Sequence, residues 1–303
     1  MTAPLLGLSD LRVTYPGRGL RARPTEVLHG VSLQARQGET LGIVGESGSG
    51  KTTLGRAVLG LVKPSGGHVR FQGRDITHSS RKERRALARD IQVVFQDPYS
   101  SLNPALAVGD ILSEPLTAHG ATAREARARV AELLDQVGLP GDAARRLPRE
   151  FSGGQRQRVA IARALAPEPH LIVCDEPVSA LDLTTQARVL DLFVDIQRRT
   201  SVTYLFISHD LAVIRHVSHR VCVMRGGEIV ETGTAGQVTS RPRHPYTQRL
   251  VLAAPVPDPV QQRERRERRH RLLARERADL SGARIPRRGA AAPEEWNDTD
   301  SDA

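Results

Sequence analysis

The sequence predicts an α/β fold, with buried strands alternating with helices and a phosphate-binding loop joining one strand to the helix after it. Three observations predict it. The apolar run Thr40–Val44 leads into the glycine-rich stretch GESGSGKTT at 45–53, and then into residues 54–61, whose apolar spacing is that of a helix packing one face on a sheet. Residues 171–174 (LIVC) and 202–207 (VTYLFI) are further apolar runs of the kind buried in a parallel sheet. Both end in groups suited to chemistry: Asp175 and Glu176 after the first, Ser208, His209 and Asp210 after the second.

The loop at 45–53 has a mechanism. Gly45, Gly48 and Gly50 let the backbone turn tightly, so that the amides of this stretch, with Glu46, Ser47 and Ser49 between the glycines, approach phosphate oxygens. The helix that follows aims its positive end at the same anion. Lys51 would reach the β- and γ-phosphates and Thr52 would offer its hydroxyl to Mg²⁺, with Thr53 completing the stretch. A glycine-rich turn with a chance GKT is the bland alternative, and the strand before and helix after it argue against that.

Taken in order, residues 5–15 and 27–34 read as two strands, separated by the basic, turn-rich PGRGLRARP. Tyr15, at the end of the first, is either an ordinary strand aromatic or a ring for stacking on a base. With one Trp, four Tyr and five Phe in 303 residues, the chain has few rings for that purpose. KPSGGHVRFQGRDI reads as a hairpin-like return, and residues 91–95 as a strand ending at Gln96. Pro98 and Pro104 bracket a polar loop. Residues 108–165 then turn helical, with a capping box at 122–125 and one-face apolar spacing at Val130, Leu133, Leu134 and Val137. A second glycine loop, FSGGQRQR at 151–158, opens another helix with Ser152 at its N-cap. The acidic doublet Asp175 and Glu176 lies at the carboxyl end of a strand, where α/β sheets bind ligands, and a metal or a polarised water accounts for it best. Side chains alternate along a strand, so the two carboxylates should face opposite ways. Residues 219–232 read as two strands joined around Gly226 and Gly227, and the fold should close near Ala254.

Composition bounds the rest. No apolar run is long enough to span a bilayer, and the N-terminus has neither the basic nor the apolar region of a signal peptide, so cytosolic residence is expected. Cys174 and Cys222 sit in strand-like apolar runs and are expected as reduced, buried thiols. The net charge of +10 is not a basic tail, because eleven arginines beyond residue 255 meet ten acids. The excess lies in the preceding sequence and suits an anionic nucleotide near an anionic membrane surface.

These motifs, in this order, resemble the ATP-binding cassette subunit of a transporter, of the oligopeptide and dipeptide importer type. GESGSGKT (45–52) matches the Walker A loop, FSGGQ (151–155) the signature, LIVCDE (171–176) the Walker B strand, and SALD (179–182) the D-loop. Gln96 matches the Q-loop and His209 the switch histidine. VFQDPYSSLNP (94–104) and HPYTQRL (244–250) resemble the peptide-importer subtype. The resemblance implies a P-loop NTPase fold with a RecA-like core, an antiparallel β subdomain and an α-helical subdomain at about 97–166. The whole nucleotide-binding domain spans 1–255, with an oligopeptide-type stretch at about 233–255 and a charged tail at 256–303.

It also implies a site. Tyr15 would stack on adenine; Gly45, Glu46, Ser47, Gly48, Ser49, Gly50, Lys51, Thr52 and Thr53 would hold ATP; Thr52, Gln96 and Asp175 would hold Mg²⁺. Glu176 would polarise the attacking water and His209 would contact the γ-phosphate. Ser152, Gly153, Gly154 and Gln155, with Asp182, would complete the site from a second cassette across a head-to-tail dimer. Phe151 stands where the family usually has Leu, at a position that packs and does not touch phosphate. The implied partners are membrane permease subunits, a second cassette, identical or related, and indirectly an extracytoplasmic solute-binding protein, at the cytoplasmic face of the membrane. No nucleic acid is expected. Import of nickel or another small solute is one alternative, and a soluble cassette ATPase acting on nucleic acid is another.

Overall fold

The computed structural model describes residues 4–17, 23–97 and 101–254, together with 258, 263 and 265–268. Pro98, residues 18–22 of the basic loop and most of the tail lie outside the described residues. The chain divides into two compact units, Met1–Ala254 and Pro255–Ala303, and the elements below lie in the first.

Among the described residues the strands form two sheets. The first, in order β2-β1-β4-β5, is antiparallel: β1 (Leu6–Tyr15), β2 (Thr25–Ala35), β4 (Gly66–Phe71) and β5 (Arg74–Asp75). The second has the order β10-β9-β3-β8-β7-β6 and contains β3 (Thr40–Val44), β6 (Ile91–Val94), β7 (Leu171–Asp175), β8 (Thr203–Ser208), β9 (Arg220–Arg225) and β10 (Glu228–Thr234). Its pairings are parallel except for the closing β9–β10 hairpin.

Burial on both faces explains the unbroken apolar runs. Every residue of β3 and β8 is buried. Because side chains alternate, Leu171 and Val173 of β7 and Leu205 and Ile207 of β8 join one core, while Ile172, Cys174, Tyr204 and Phe206 join the other. The first core lies against the antiparallel sheet and α1 (Lys51–Val58). The second lies against α3 (Val108–Ala118), α4 (Ala123–Gln136), α5 (Gly153–Leu165) and α6 (Leu183–Thr200), and there Phe193 meets Tyr204 and Phe206 edge-on at centroid distances of 5.5 and 5.3 Å. The two cysteines fall in different cores and are free and buried. Phe151 packs in the helical core, 4% exposed.

Two differences from the sequence reading have physical causes. The first helix begins at Lys51, ahead of the apolar pattern at 54, because Gly50 supplies the left-handed turn (φ 100°) that starts it. A helix at Arg81–Leu87, α2, follows β5 unexpectedly; it has a capping box between Ser80 and Glu83 but buries no residue, so no apolar period announces it. The chain closes through α7 (Leu211–Val217), α8 (Ala235–Ser240) and α9 (Pro245–Ala253).

Candidate functional site

Strand register assembles the site. Val44 lies opposite Ser208, Ile207 opposite Asp175, and Cys174 opposite Val94 in adjacent parallel strands. The loop at Gly45, His209, Glu176 and Gln96 therefore all leave the sheet at one carboxyl edge, on neighbouring strands β3, β8, β7 and β6. That edge is where open α/β sheets bind ligands.

At its centre the phosphate loop runs into α1, whose N-terminus has no side-chain cap and no acid in its first turn. Its free amides and positive end suit an anion. The buried Ser49 hydroxyl has no hydrogen-bond partner among the described residues. Lys51, 5% exposed, donates from Nζ to the carbonyls of Gly45 and Glu46, 2.8 Å each. Burial lowers its pKa, opposed by the carboxylates of Glu176, Asp175 and Glu46.

The Thr52 hydroxyl donates to Asp175 Oδ1 at 3.1 Å. Burial pushes the Asp175 carboxyl above its ordinary value, the Thr52 bond acts against that, and the neighbouring Glu176 adds to it. An anion held at such a cost is suited to a cation. Gln96 lines the same cleft as Thr52 and Asp175, so the donors are the hard oxygens that Mg²⁺ prefers.

Glu176 is set differently from the strand argument. Strand β7 ends at Asp175, and Glu176 follows in a left-handed conformation (φ 49°), its amide donating to Ile207 O at 2.9 Å. It is this turn, and not pleat alternation, that separates the two carboxylates. Glu176 Oε2 meets His209 Nδ1 at 3.0 Å, so the doublet serves two tasks, one acid on Thr52 and the other on the histidine. The Tyr15 hydroxyl stands 3.4 Å from Thr53 Oγ1, with its ring half-buried at the mouth of the loop.

The second glycine loop lies in another setting. Ser152 and Gln155 satisfy each other as a capping box, with Ser152 N donating to Gln155 Oε1 at 2.9 Å. Asp182 caps α6 through the Thr185 amide at 3.0 Å. A Cβ on Gly153 would meet Leu181, just before α6, and one on Gly154 would meet Thr185 in its first turn. A capping hydroxyl still has its proton to donate, so Ser152 can bind an outside oxygen without releasing the cap.

One residue of this site was missed from the sequence. Tyr246 of α9 accepts a hydrogen bond from the Glu46 amide at 3.0 Å. It lies 200 positions along the chain from that partner, and only its place in HPYTQRL marked it.

Comparison with known proteins gives concordant results. The sequence model of the family described as "ABC transporter" matches residues 28–179, and that of "Oligopeptide/dipeptide transporter, C-terminal region" matches 230–283, reaching past the expected boundary at 255. The oligopeptide transport ATP-binding protein OppD of Mycobacterium tuberculosis is 53% identical over 231 residues, covering 76% of this chain and 38% of that protein. The glutathione import ATP-binding protein GsiA of Escherichia coli is 50% identical over 268 residues, covering 87% and 43%. The chain thus spans less than half the length of these curated relatives. Among solved structures, cbiO1 from Clostridium perfringens, part of the ABC transporter complex cbiONQ, matches with TM-score 0.72 and 29% identity over 79% of this chain and 92% of that one. The cassette MJ0796, solved as a dimer bound to ADP and Pi, matches with TM-score 0.67 and 31% identity over 76% and 98%.

Proposed function

The chain belongs to the ATP-binding cassette transporter family, and we propose that it is the ATP-hydrolysing, energy-coupling subunit of an importer for oligopeptides or dipeptides. The observation that carries this reading is the single carboxyl edge on which the uncapped start of α1, the Thr52–Asp175 pair and the Glu176–His209 pair converge. Phosphoryl transfer needs in-line placement and charge neutralisation more than covalent chemistry, and this edge offers both.

In the proposed mechanism the loop amides and Lys51 bind the phosphates, and Tyr15 stacks on the adenine. Thr52, Asp175 and Gln96 would hold Mg²⁺, which supplies charge neutralisation to the phosphate oxygens. Glu176, oriented by its bond to His209, accepts a hydrogen bond from the attacking water and places it in line. With Nδ1–H given to Glu176, His209 would meet the γ-phosphate through Nε2–H as the doubly protonated ring, in which both nitrogens donate. Ser152, Gly153, Gly154 and Gln155 would close the site of a second cassette. The dimeric MJ0796 and the OppD and GsiA names support this assignment.

Among the described residues no helix is long and apolar enough to cross a membrane. Likeness to the ATP-binding subunits of transporters supports permease subunits as partners, with this chain peripheral on the cytoplasmic face. A cleft of about 790 Å³, with Thr52, Gln96 and Asp175 at one end and Glu114, His119 and Arg163 at the other, joins the nucleotide edge to the helical layer and suits a docking permease loop. Solute choice would rest with the permeases and a solute-binding protein.

The test is affinity purification of tagged Glu176→Gln protein from native membranes with ATP and Mg²⁺. Recovery of multi-span permeases with a second cassette, and of an ATP-bound form that does not turn over, is expected. Turnover at the wild-type rate, or recovery with nucleic acid and no membrane protein, would overturn the reading.

A further inference from the structure

The HPYTQRL stretch was noted for its resemblance alone, yet its first three residues each have a task. His244 Nδ1 accepts from the Tyr246 amide at 3.2 Å and caps α9, and Pro245 opens the helix where a missing N–H costs nothing. Ahead of them, Glu231 of β10 accepts from the amides of Arg243 (2.8 Å) and His244 (3.0 Å). Burial works against the Glu231 carboxylate, but the Arg243 amide, the Thr247 side chain, and the amide and charge of His244 together outweigh it and hold its pKa below the ordinary value. The start of α9 is thereby fastened to the sheet. Tyr246, 2% exposed, then directs its phenol to the Glu46 amide, with the guanidinium groups of Arg225 and Arg249 over its ring at 5.2 and 5.9 Å.

The peptide that Tyr246 grips is a particular one. The Glu46 N–H and the Gly45 carbonyl belong to the same rigid peptide plane. Its oxygen accepts from Lys51 Nζ at 2.8 Å and its nitrogen donates to Tyr246 Oη at 3.0 Å. Lys51 has three N–H donors and two are on the loop carbonyls, so to meet both the β- and the γ-phosphate the ammonium has to give up one of those carbonyls. The phenol is then the side chain that keeps the plane from turning after it. Nearby, Gly227 N donates to Ser49 O at 3.0 Å, and a Cβ on Gly45 would fall 2.2 Å from Met224 O, so the β9–β10 hairpin backs the same loop.

We infer that Tyr246 is a positioning residue for nucleotide binding: it holds the Gly45–Glu46 peptide so that Lys51 is released to the phosphates without the loop following it. The inference rests on the ATPase reading above, and it gives the oligopeptide-type C-terminal region a direct hold on the nucleotide site.

Tyr246→Phe keeps the ring and its arginine contacts and deletes only the acceptor. The full chain is assayed for MgATP affinity, ATPase kinetics and thermal unfolding, beside the wild type. Expected is a rise of about fivefold in Kd and KM, the equilibrium factor of one neutral hydrogen bond, with kcat within about twofold. Unchanged Kd and KM in a variant that folds, or a loss confined to melting temperature and kcat, would overturn the inference. Should Tyr246→Phe fail to fold, amide exchange at Glu46 in the wild type decides. Protection with and without ADP supports the bond, and exchange at the rate of an open amide refutes it. The wild-type titration separates the two claims, since failure of the wild type to bind nucleotide would sink the proposed function itself.

Discussion

Gly154 offers the sharpest structural test of the second glycine loop. A Cβ placed on it would lie 2.2 Å from Thr185 Cγ2, more than 1 Å inside ordinary contact. The obstructing methyl belongs to a residue held at the start of α6, whose amide donates to Asp182 Oδ1 at 3.0 Å. Gly154→Ala therefore has two outlets. Thr185 can leave its rotamer at a cost of about 0.5–1.5 kcal/mol, or the N-termini of α5 and α6 can part, with an overpacking cost of about 1–3 kcal/mol. At about 2–4 °C per kcal/mol for a domain of this size, the melting temperature should fall by roughly 1–12 °C. ATP turnover should fall further, because Ser152 and the loop amides ride on the displaced helix end. Thr185→Ser removes Cγ2 and leaves the backbone cap, so Gly154→Ala/Thr185→Ser should recover most of the melting temperature and part of the turnover. The assay is thermal unfolding with steady-state ATPase on the four members of that cycle. If Gly154→Ala melts like the wild type, or if the serine gives no recovery, the contact is not what this glycine is for.

Three further outcomes follow from the same geometry. Lys51→Ala should raise the Kd for ATP by about 100-fold or more, the upper range for a hydrogen bond to a charged group made more than once, as read by titration with a fluorescent nucleotide. Asp75 is held down to a pKa of about 2, chiefly by the Thr77 hydroxyl and then the Thr77 amide, with His68 adding less. Because the folded value is depressed, its contribution is present above the unfolded carboxylate value of about 3.9 and is lost as pH falls toward 2. Asp75→Asn should accordingly melt below the wild type at pH 6, and the gap should close between about pH 4 and pH 2. Cys174 and Cys222 are buried, with thiol pKa values pushed up by burial, so a thiol reagent should leave the native chain unlabelled and modify both after denaturation.

What could be read from the sequence was whatever had a local cause. Continuous apolar runs identified β3, β7 and β8 because both faces of the parallel sheet are buried, and the polar residues at their ends marked the candidate site's edge. Thr122 announced its helix through a capping box and Ser152 through an N-cap, and both form as expected. Helix α2 carried the same box and went unread, since a helix with no buried residue has no apolar period. The left-handed turn at Glu176 was hidden for another reason: a glutamate there has no local preference for positive φ, and the surrounding fold imposes it. Tyr246 was hidden by distance. Its partner is a backbone amide, and no side-chain pattern at Glu46 encodes that choice.

The division between these cases follows the division of labour in the site. Groups that must hold fixed separations, Lys51, Asp175, Glu176 and His209, leave adjacent strands that are buried on both faces, and a packed interior resists change in those separations. Ser152 and Gln155 are instead held by a cap internal to one helix end, and Gln96 lies in an open cleft facing the helical layer. Their positions relative to the phosphate loop are set by how the helical layer sits on the sheet. A substitution that opens a void in the strands, such as Val173→Ala beneath Gly55 of α1, should remove support from the candidate site's edge and from the core together. One at the helical end of the cleft, at Glu114 or Arg163, should act first on how the helical layer is held, through their ion pair and the Arg163 bond to Ser101 O. The energy-coupling role proposed above calls for that asymmetry: a rigid edge where the phosphate is read, and a layer of helices positioned separately from it.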